Sequence, residues 1–270
     1  MQNAKDIPPT HKRFLLWGAS GTGKTSQFLT LPGKKFLYIF DPSGVEGIRG
    51  YDVDFELILP DSMNLNISSS SADGATRGTK MQQDAPQAAA NFLLDLRKKK
   101  KEGFFDQYDA VGMDSVTFYA KLVMDRIVWN NQRPGHTPHQ DDYAPEMNQV
   151  FNAMREFIAI PGCTLFASTH EENKEDKRTG LTNVEYALTG KLRVWLTGLF
   201  TDVFRTIVGE KDENIGKHYV VTGKIARAGG IRKSIRWLDH IHEVTIKDWD
   251  NLETQGLGAI LAEDERRRSA

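Results

Sequence analysis

Cysteine is nearly absent. Cys163 is the only one among 270 residues, so no internal disulfide can form, and a reducing compartment fits. Its neighbours Thr164-Leu165-Phe166-Ala167 mark a buried strand thiol and not a nucleophile. Long apolar runs are missing too, so no segment reads as a membrane span. Residues Met1 to Thr10 are polar and carry no apolar signal core, which makes the cytoplasm the expected compartment. There is no excess of charge of either sign, with 35 basic against 36 acidic residues. Overall charge therefore announces no nucleic-acid partner, and any DNA site must be a local patch. No repeat and no linker divides the chain, whose length suits one α/β domain with additions.

What is present is a glycine pattern close to the start. Gly18-Ala19-Ser20-Gly21-Thr22-Gly23-Lys24-Thr25 has glycines at the first and sixth places, followed by Lys and Thr, which is a complete phosphate-binding loop. Arg13 to Trp17 reads as a buried strand before it, and Thr25 to Leu29, beginning with Thr25-Ser26, as a helix after it, stopped near Pro32-Gly33. In this setting successive N–H groups of the loop and the helix start face the β-phosphate of a nucleoside triphosphate. Residues from Gly18 to Ser26 are the expected nucleotide contacts. Lys24 would bridge the β- and γ-phosphates and the Thr25 hydroxyl would hold Mg²⁺.

Strand and helix signals alternate along the rest, which predicts a mostly parallel sheet with helices on its faces. Further strands are expected at Lys35–Phe40, Phe55–Leu59, Gln107–Asp114 and Cys163–Thr169. Late, antiparallel strands are expected at Thr201–Val208 and His218–Val221. Helices are expected at Ala88–Lys101, Val116–Asn130, Glu146–Ile160 and Asp248–Leu261, and a short helix or turn at Lys191–Leu199. The Ser-rich stretch 61–86 reads as an exposed, mobile insert, residues 1–11 as a flexible N-terminus and 262–270 as a charged, frayed tail. The ATPase domain would then span residues 12–261.

A phosphate-binding loop needs a second carboxylate at a neighbouring strand end to orient Mg²⁺. The run Ala110-Val111-Gly112-Met113-Asp114 supplies it. Asp114 or Ser115 could equally cap the next helix, and the two roles can coexist. Hydrolysis also needs a base or a water-orienting group. Asp41 and Glu46, in the loop after the second strand, are candidates, although Asp41-Pro42-Ser43-Gly44 is also an ordinary turn. The fifth strand ends Ser168-Thr169-His170, placing His170 at the carboxyl edge where it could sense the γ-phosphate. His136 and His139 join no recognised zinc pattern. Arg97 to Lys101 reads as a solvated helix end. Lys224, Arg227, Arg232, Lys233 and Arg236 form a basic, glycine-containing segment. It could offer an arginine across a subunit boundary, with Arg227 as the catalytic candidate, or line a phosphate backbone.

The glycine loop, the endings Met113-Asp114-Ser115 and Ser168-Thr169-His170, and Leu188-Thr189-Gly190-Lys191-Leu192 ahead of Phe200-Thr201-Asp202-Val203 together resemble the phage RecA-like ATPases. That family includes single-strand annealing recombinases. The likeness runs from about Lys12 to Arg236. It implies a RecA-like P-loop core, ATP with Mg²⁺, single-stranded DNA as partner, rings or filaments with ATP between subunits, and a single-strand DNA-binding protein as a further partner. By position, Lys24, Thr25 and Asp114 match the phosphate and metal residues, and His170 the switch residue. Where the family carries its catalytic Glu, directly after the second strand, this chain has Pro42-Ser43-Gly44. Either Glu46 substitutes from further along the loop, or hydrolysis is slow or needs a partner such as DNA. The DNA-contact segments would be Gln132–Pro145 and Glu171–Leu188, where Lys174, Lys177 and Arg178 are mixed with acids. A nucleotide-switched assembly or host-interaction protein that never touches DNA is the alternative. A small-molecule kinase would carry an Arg-rich lid between the fourth and fifth strands, and none is evident.

Overall fold

The computed structural model describes residues 11–41, 43–59, 74–223 and 230–269. Its centre is a sheet in the order β3-β2-β4-β5-β1-β7-β8-β9. The strands are β1 (Arg13–Gly18), β2 (Lys35–Ile39), β3 (Asp54–Leu57), β4 (Ala110–Asp114), β5 (Thr164–Asp176), β7 (Asp202–Val208), β8 (His218–Val221) and β9 (Ile241–Glu243). The pairs from β3 across to β7 are parallel, and β7–β8 and β8–β9 are antiparallel. A ninth strand, β6 (Leu181–Tyr186), pairs with the far half of β5.

Strands buried on both faces must be apolar throughout. In β1, β2 and β4 nearly every residue is buried. Alternate residues serve opposite layers. Leu15 and Trp17 join the side covered by α2 (Gly74–Lys101), α3 (Val116–Asn130), α4 (Tyr143–Ile158) and α5 (Leu192–Thr197). Phe14 and Leu16 join the side covered by α1 (Lys24–Leu29) and α6 (Gly256–Ser269). Cys163 is buried at the foot of β5, and that burial pushes its thiol up to about 12, as expected for an inert strand cysteine.

The mostly parallel sheet, its helical layers and the C-terminal antiparallel strands agree with the sequence. Several boundaries do not. Helix α2 begins at Gly74, inside the stretch expected to be a loop, and runs through Pro86. Residues 74–87 are polar and offer no apolar stripe, so periodicity could not find the helix there. Residues 61–73 lie outside the described part. The polar stretch from Glu171 is not a loop: β5 continues to Asp176 and forms a hairpin with β6. A ribbon polar on both faces shows no alternation to read. β7 pairs in parallel with β1, and of the named strands it is antiparallel to β8. The last helix starts at Gly256 instead of Asp248, because Gln255 bonds the backbone of Lys247 and Asp248 and holds that segment as a turn. It continues through the expected tail, where Arg266 and Arg267 pair with Glu263 and Arg268 pairs with Asp264. Among the described residues no helix is long and apolar enough to cross a membrane.

Candidate functional site

β1 delivers Gly18 to the carboxyl edge of the sheet beside β7. A Cβ on Gly18 would lie 2.4 Å from Thr206 Oγ1 and 2.5 Å from the Thr206 carbonyl oxygen, so no larger residue fits. Gly23 turns the loop into α1 with φ of +84°, in the left-handed region, and a Cβ there would sit 3.0 Å from His218 Nδ1. The loop is braced from inside the chain. The Thr22 hydroxyl donates to the Ala19 carbonyl at 2.8 Å and lies 2.7 Å from the Thr206 hydroxyl. His218 Nδ1 approaches the Thr22 carbonyl at 3.2 Å. Thr206 and His218 belong to β7 and β8. Nothing in the spacing of the sequence marks them as supports of the loop.

Lys24 is buried, and its ammonium lies across the loop, donating to the carbonyls of Gly18 (3.0 Å) and Ala19 (2.7 Å). Burial pulls the Lys24 pKa down, opposed by the charges of Asp114, Glu171 and Asp41. The Thr25 hydroxyl donates to Asp114 Oδ2 at 2.5 Å, and the Ser168 hydroxyl donates to Asp114 Oδ1. Asp114 is thus free of the capping role. Ser115, joined to it by a cis peptide, accepts from the Phe118 amide and caps α3. A hydroxyl and a carboxylate side by side form a hard oxygen donor set. Together with a buried amine and a glycine loop, they fit a nucleoside triphosphate with magnesium.

His170 pairs with Gly18 in register at the end of the central part of β5. Its backbone N–H donates to Thr117 Oγ1 at 3.0 Å, and its ring meets Phe118 edge-on at 5.5 Å. Burial, reinforced by the Lys24 charge, lowers its pKa and favours the neutral ring, against Asp114 and Asp41. Thr117 also meets Thr169 at 2.8 Å, which ties the start of α3 to the end of the fifth strand.

The expected hydrolytic acids stand differently. Asp41 accepts from the Ser43 backbone and hydroxyl in a turn, while its charge reaches Lys24. Glu46 lies in a short turn packed near Thr25, but its exposed carboxylate is held in a two-point bond by Arg49 at 2.8 and 2.6 Å. The structure does not bring Glu46 together with Lys24 and Asp114. Glu171, the residue after His170, does act on Lys24. Arg205 of β7 grips it at 2.8 and 3.2 Å while lying over the Trp17 ring. Sequence reasoning counted Glu171 only as a loop acid. Arg227 and Lys224 lie outside the described residues. Of their neighbours, Lys233 donates to the Leu238 carbonyl, and Arg232 pairs its backbone with Val203.

The Pro-rich stretch 131–142 is organised by Asp142, whose buried carboxylate accepts from Arg133, Asn131 and the His139 backbone N–H. Pro138 of this stretch and Glu172, Asn173 and Lys174 of the β5–β6 hairpin line one cavity of about 830 Å³, which His170 also lines. Glu172 and Glu185 of the hairpin are both paired with Arg193.

A search of curated proteins finds no match. Among solved structures the chain is similar to an ATPase from the type III secretion system of pathogenic bacteria, at 12% identity and a TM-score of 0.40, over 73% of this chain and 51% of that one. The chain thus spans about half the length of that ATPase. It is also compared with the spore cortex-lytic enzyme SleL of Bacillus megaterium QM B1551, at 11% identity and a TM-score of 0.18, over 96% of this chain and 70% of that one. A family model described as an AAA domain matches residues 10–240. That span includes the glycine loop, Asp114 and His170, and the chain belongs to the AAA domain family of P-loop ATPases.

Proposed function

We propose that the chain is a magnesium-dependent ATPase of RecA-like type that acts on single-stranded DNA and assembles through its nucleotide sites. The observation that carries the nucleotide half is the meeting of Lys24, Thr25 and Asp114 at one strand edge. Magnesium, when bound with nucleotide, neutralises phosphate charge and fixes the oxygens for attack by water. Thr25 and Asp114 would hold it. The loop amides and Lys24 would orient the phosphates. Glu171, close enough for its charge to bear on Lys24 and fixed by Arg205, is better placed than Glu46 to orient a water. His170, backed by Thr117, would pass the state of the site to α3 and the hairpin.

The DNA half is supported by placement. Both segments singled out for DNA contact, 132–145 and 171–188, line one cavity beside His170. Strand binding there would be felt at the nucleotide site through the Thr117–Thr169 contact. Electrophoretic shift of single-stranded oligonucleotides at low salt, with and without ATP, tests this reading alongside ATPase rates with and without DNA. ATP-dependent retention and a stimulated rate are expected. No binding under either condition would remove the DNA half, since backbone contacts are strongest at low salt.

A second reading draws on α5, which exposes Val194 and Trp195. An apolar pair on a short helix suits an interface between proteins, and favours a nucleotide-switched assembly protein. ATP-dependent oligomers that ignore DNA would support it.

A further inference from the structure

The cavity beside His170 has a chemistry of its own. Glu146, in the first turn of α4, lines it and is 1% exposed. Its Oε2 has no hydrogen-bond partner, and buried polar atoms of that kind are rare in folded proteins. Burial pushes the carboxyl up to about 7, against a bond from Thr189. Near neutral pH such a group can donate or accept. The walls carry the rings of Phe118, Tyr143 and His170, and Tyr143 keeps 39% of its surface exposed. Lys121, which lies 4.8 Å from the Phe118 ring centre, and Lys174 add positive charge to the lining. Flat aromatic surfaces, a buried hydrogen-bonding carboxyl and nearby cations are what an unstacked base on its phosphate backbone requires.

We propose that this cavity is a nucleobase subsite, in which Glu146 reads the hydrogen-bonding edge of one base, Phe118 and Tyr143 contact its ring, and Lys121 and Lys174 meet the adjoining phosphate. The proposal deepens the single-stranded DNA reading and rests on it for the source of the base; a free nucleotide would bring the same base chemistry, and the test separates the two. It gives the protein a base preference that backbone contacts alone cannot supply.

The test uses the full chain with magnesium and a non-hydrolysable ATP analogue. Fluorescence anisotropy compares four homopolymeric single-stranded oligonucleotides with an abasic strand of equal length. Base-bearing strands are expected to bind about tenfold more tightly than the abasic strand, with one base preferred. Glu146→Gln is expected to erase the preference among bases. Tyr143→Ala, at an exposed wall position, is expected to cut the gain of base-bearing over abasic strands. Undiminished affinity for the ATP analogue reports that each variant is folded. Equal binding of abasic and base-bearing strands, or a base preference intact in both variants, overturns the subsite and leaves DNA binding standing. If no strand binds, the DNA reading falls, and free deoxynucleosides decide the cavity. Saturable nucleoside binding lost in Glu146→Gln supports the subsite for a free nucleotide, and no saturable binding overturns it.

Discussion

The nucleotide site and the neighbouring cavity touch at His170, yet they are built in opposite ways. The first draws on consecutive residues, Gly18 to Thr25, whose backbone would do much of the holding, with one acid from β4 bonded to Thr25. The second gathers side chains from α3, α4, the β5–β6 hairpin and the turn at Thr189-Gly190. Backbone-built sites demand particular residues at fixed spacing, because only glycine tolerates the angles and approaches involved. Side-chain-built sites demand only that the fold bring the right groups together. The contrast explains why one region is written in a motif and the other is not.

The sharpest way to break the comparison is at Asp114, the strand-end acid that the Thr25 hydroxyl bonds across the sheet. Asp114→Asn should lower steady-state phosphate release on the order of a thousandfold, since metal-assisted charge stabilisation is worth several kcal/mol. A melting curve near that of the wild type would show that the fold survives. Turnover within a few-fold of the wild type would mean that the loop suffices alone.

On the cavity side, Glu146 carries a pH signature. Its folded carboxyl titrates at about 7 against an ordinary value of 4.5. Between those values the native state holds a proton that the unfolded chain has released. The contribution is therefore fully present below about pH 4.5 and is lost as pH rises through 7, by at most about 3 kcal/mol. Denaturant unfolding of wild type and Glu146→Gln across that range should show a downward slope in the wild type that flattens in the variant. Parallel curves would contradict the burial of an ionisable carboxyl.

Smaller effects sharpen the local half. Gly23→Ala forces a side chain into a left-handed backbone against His218. A loss of about 1–2 kcal/mol in unfolding free energy is expected, with weaker nucleotide binding by titration. Glu46→Gln should change turnover by less than about twofold, because exposed ion pairs such as Glu46–Arg49 contribute little. A larger fall would restore Glu46 as the hydrolytic acid in place of Glu171.

The sheet was legible because its central strands are apolar on both faces. The place of Asp114 at the end of β4 was legible because an apolar run ends on it. Glu171 was hidden in a stretch dense with acids, and only its side-chain bond to Arg205 of β7, a contact far apart in sequence, distinguishes it. Glu146 stands at the start of an expected helix, where an acid is commonplace because it favours the dipole. Its burial comes from tertiary packing that no local pattern encodes. Thr206 and His218 support the loop from strands far along the chain, so spacing could not connect them. Arg227 was named for its position in a basic segment and lies outside the described residues.

The central claim is that Lys24, Thr25 and Asp114 form one triphosphate site. Calorimetric titration of ATP with magnesium into the wild type and Lys24→Ala measures it directly. The account predicts saturable binding by the wild type and at least about a hundredfold weaker binding by the variant, as expected for a buried charge-assisted contact. Equal affinity in the two proteins would contradict it.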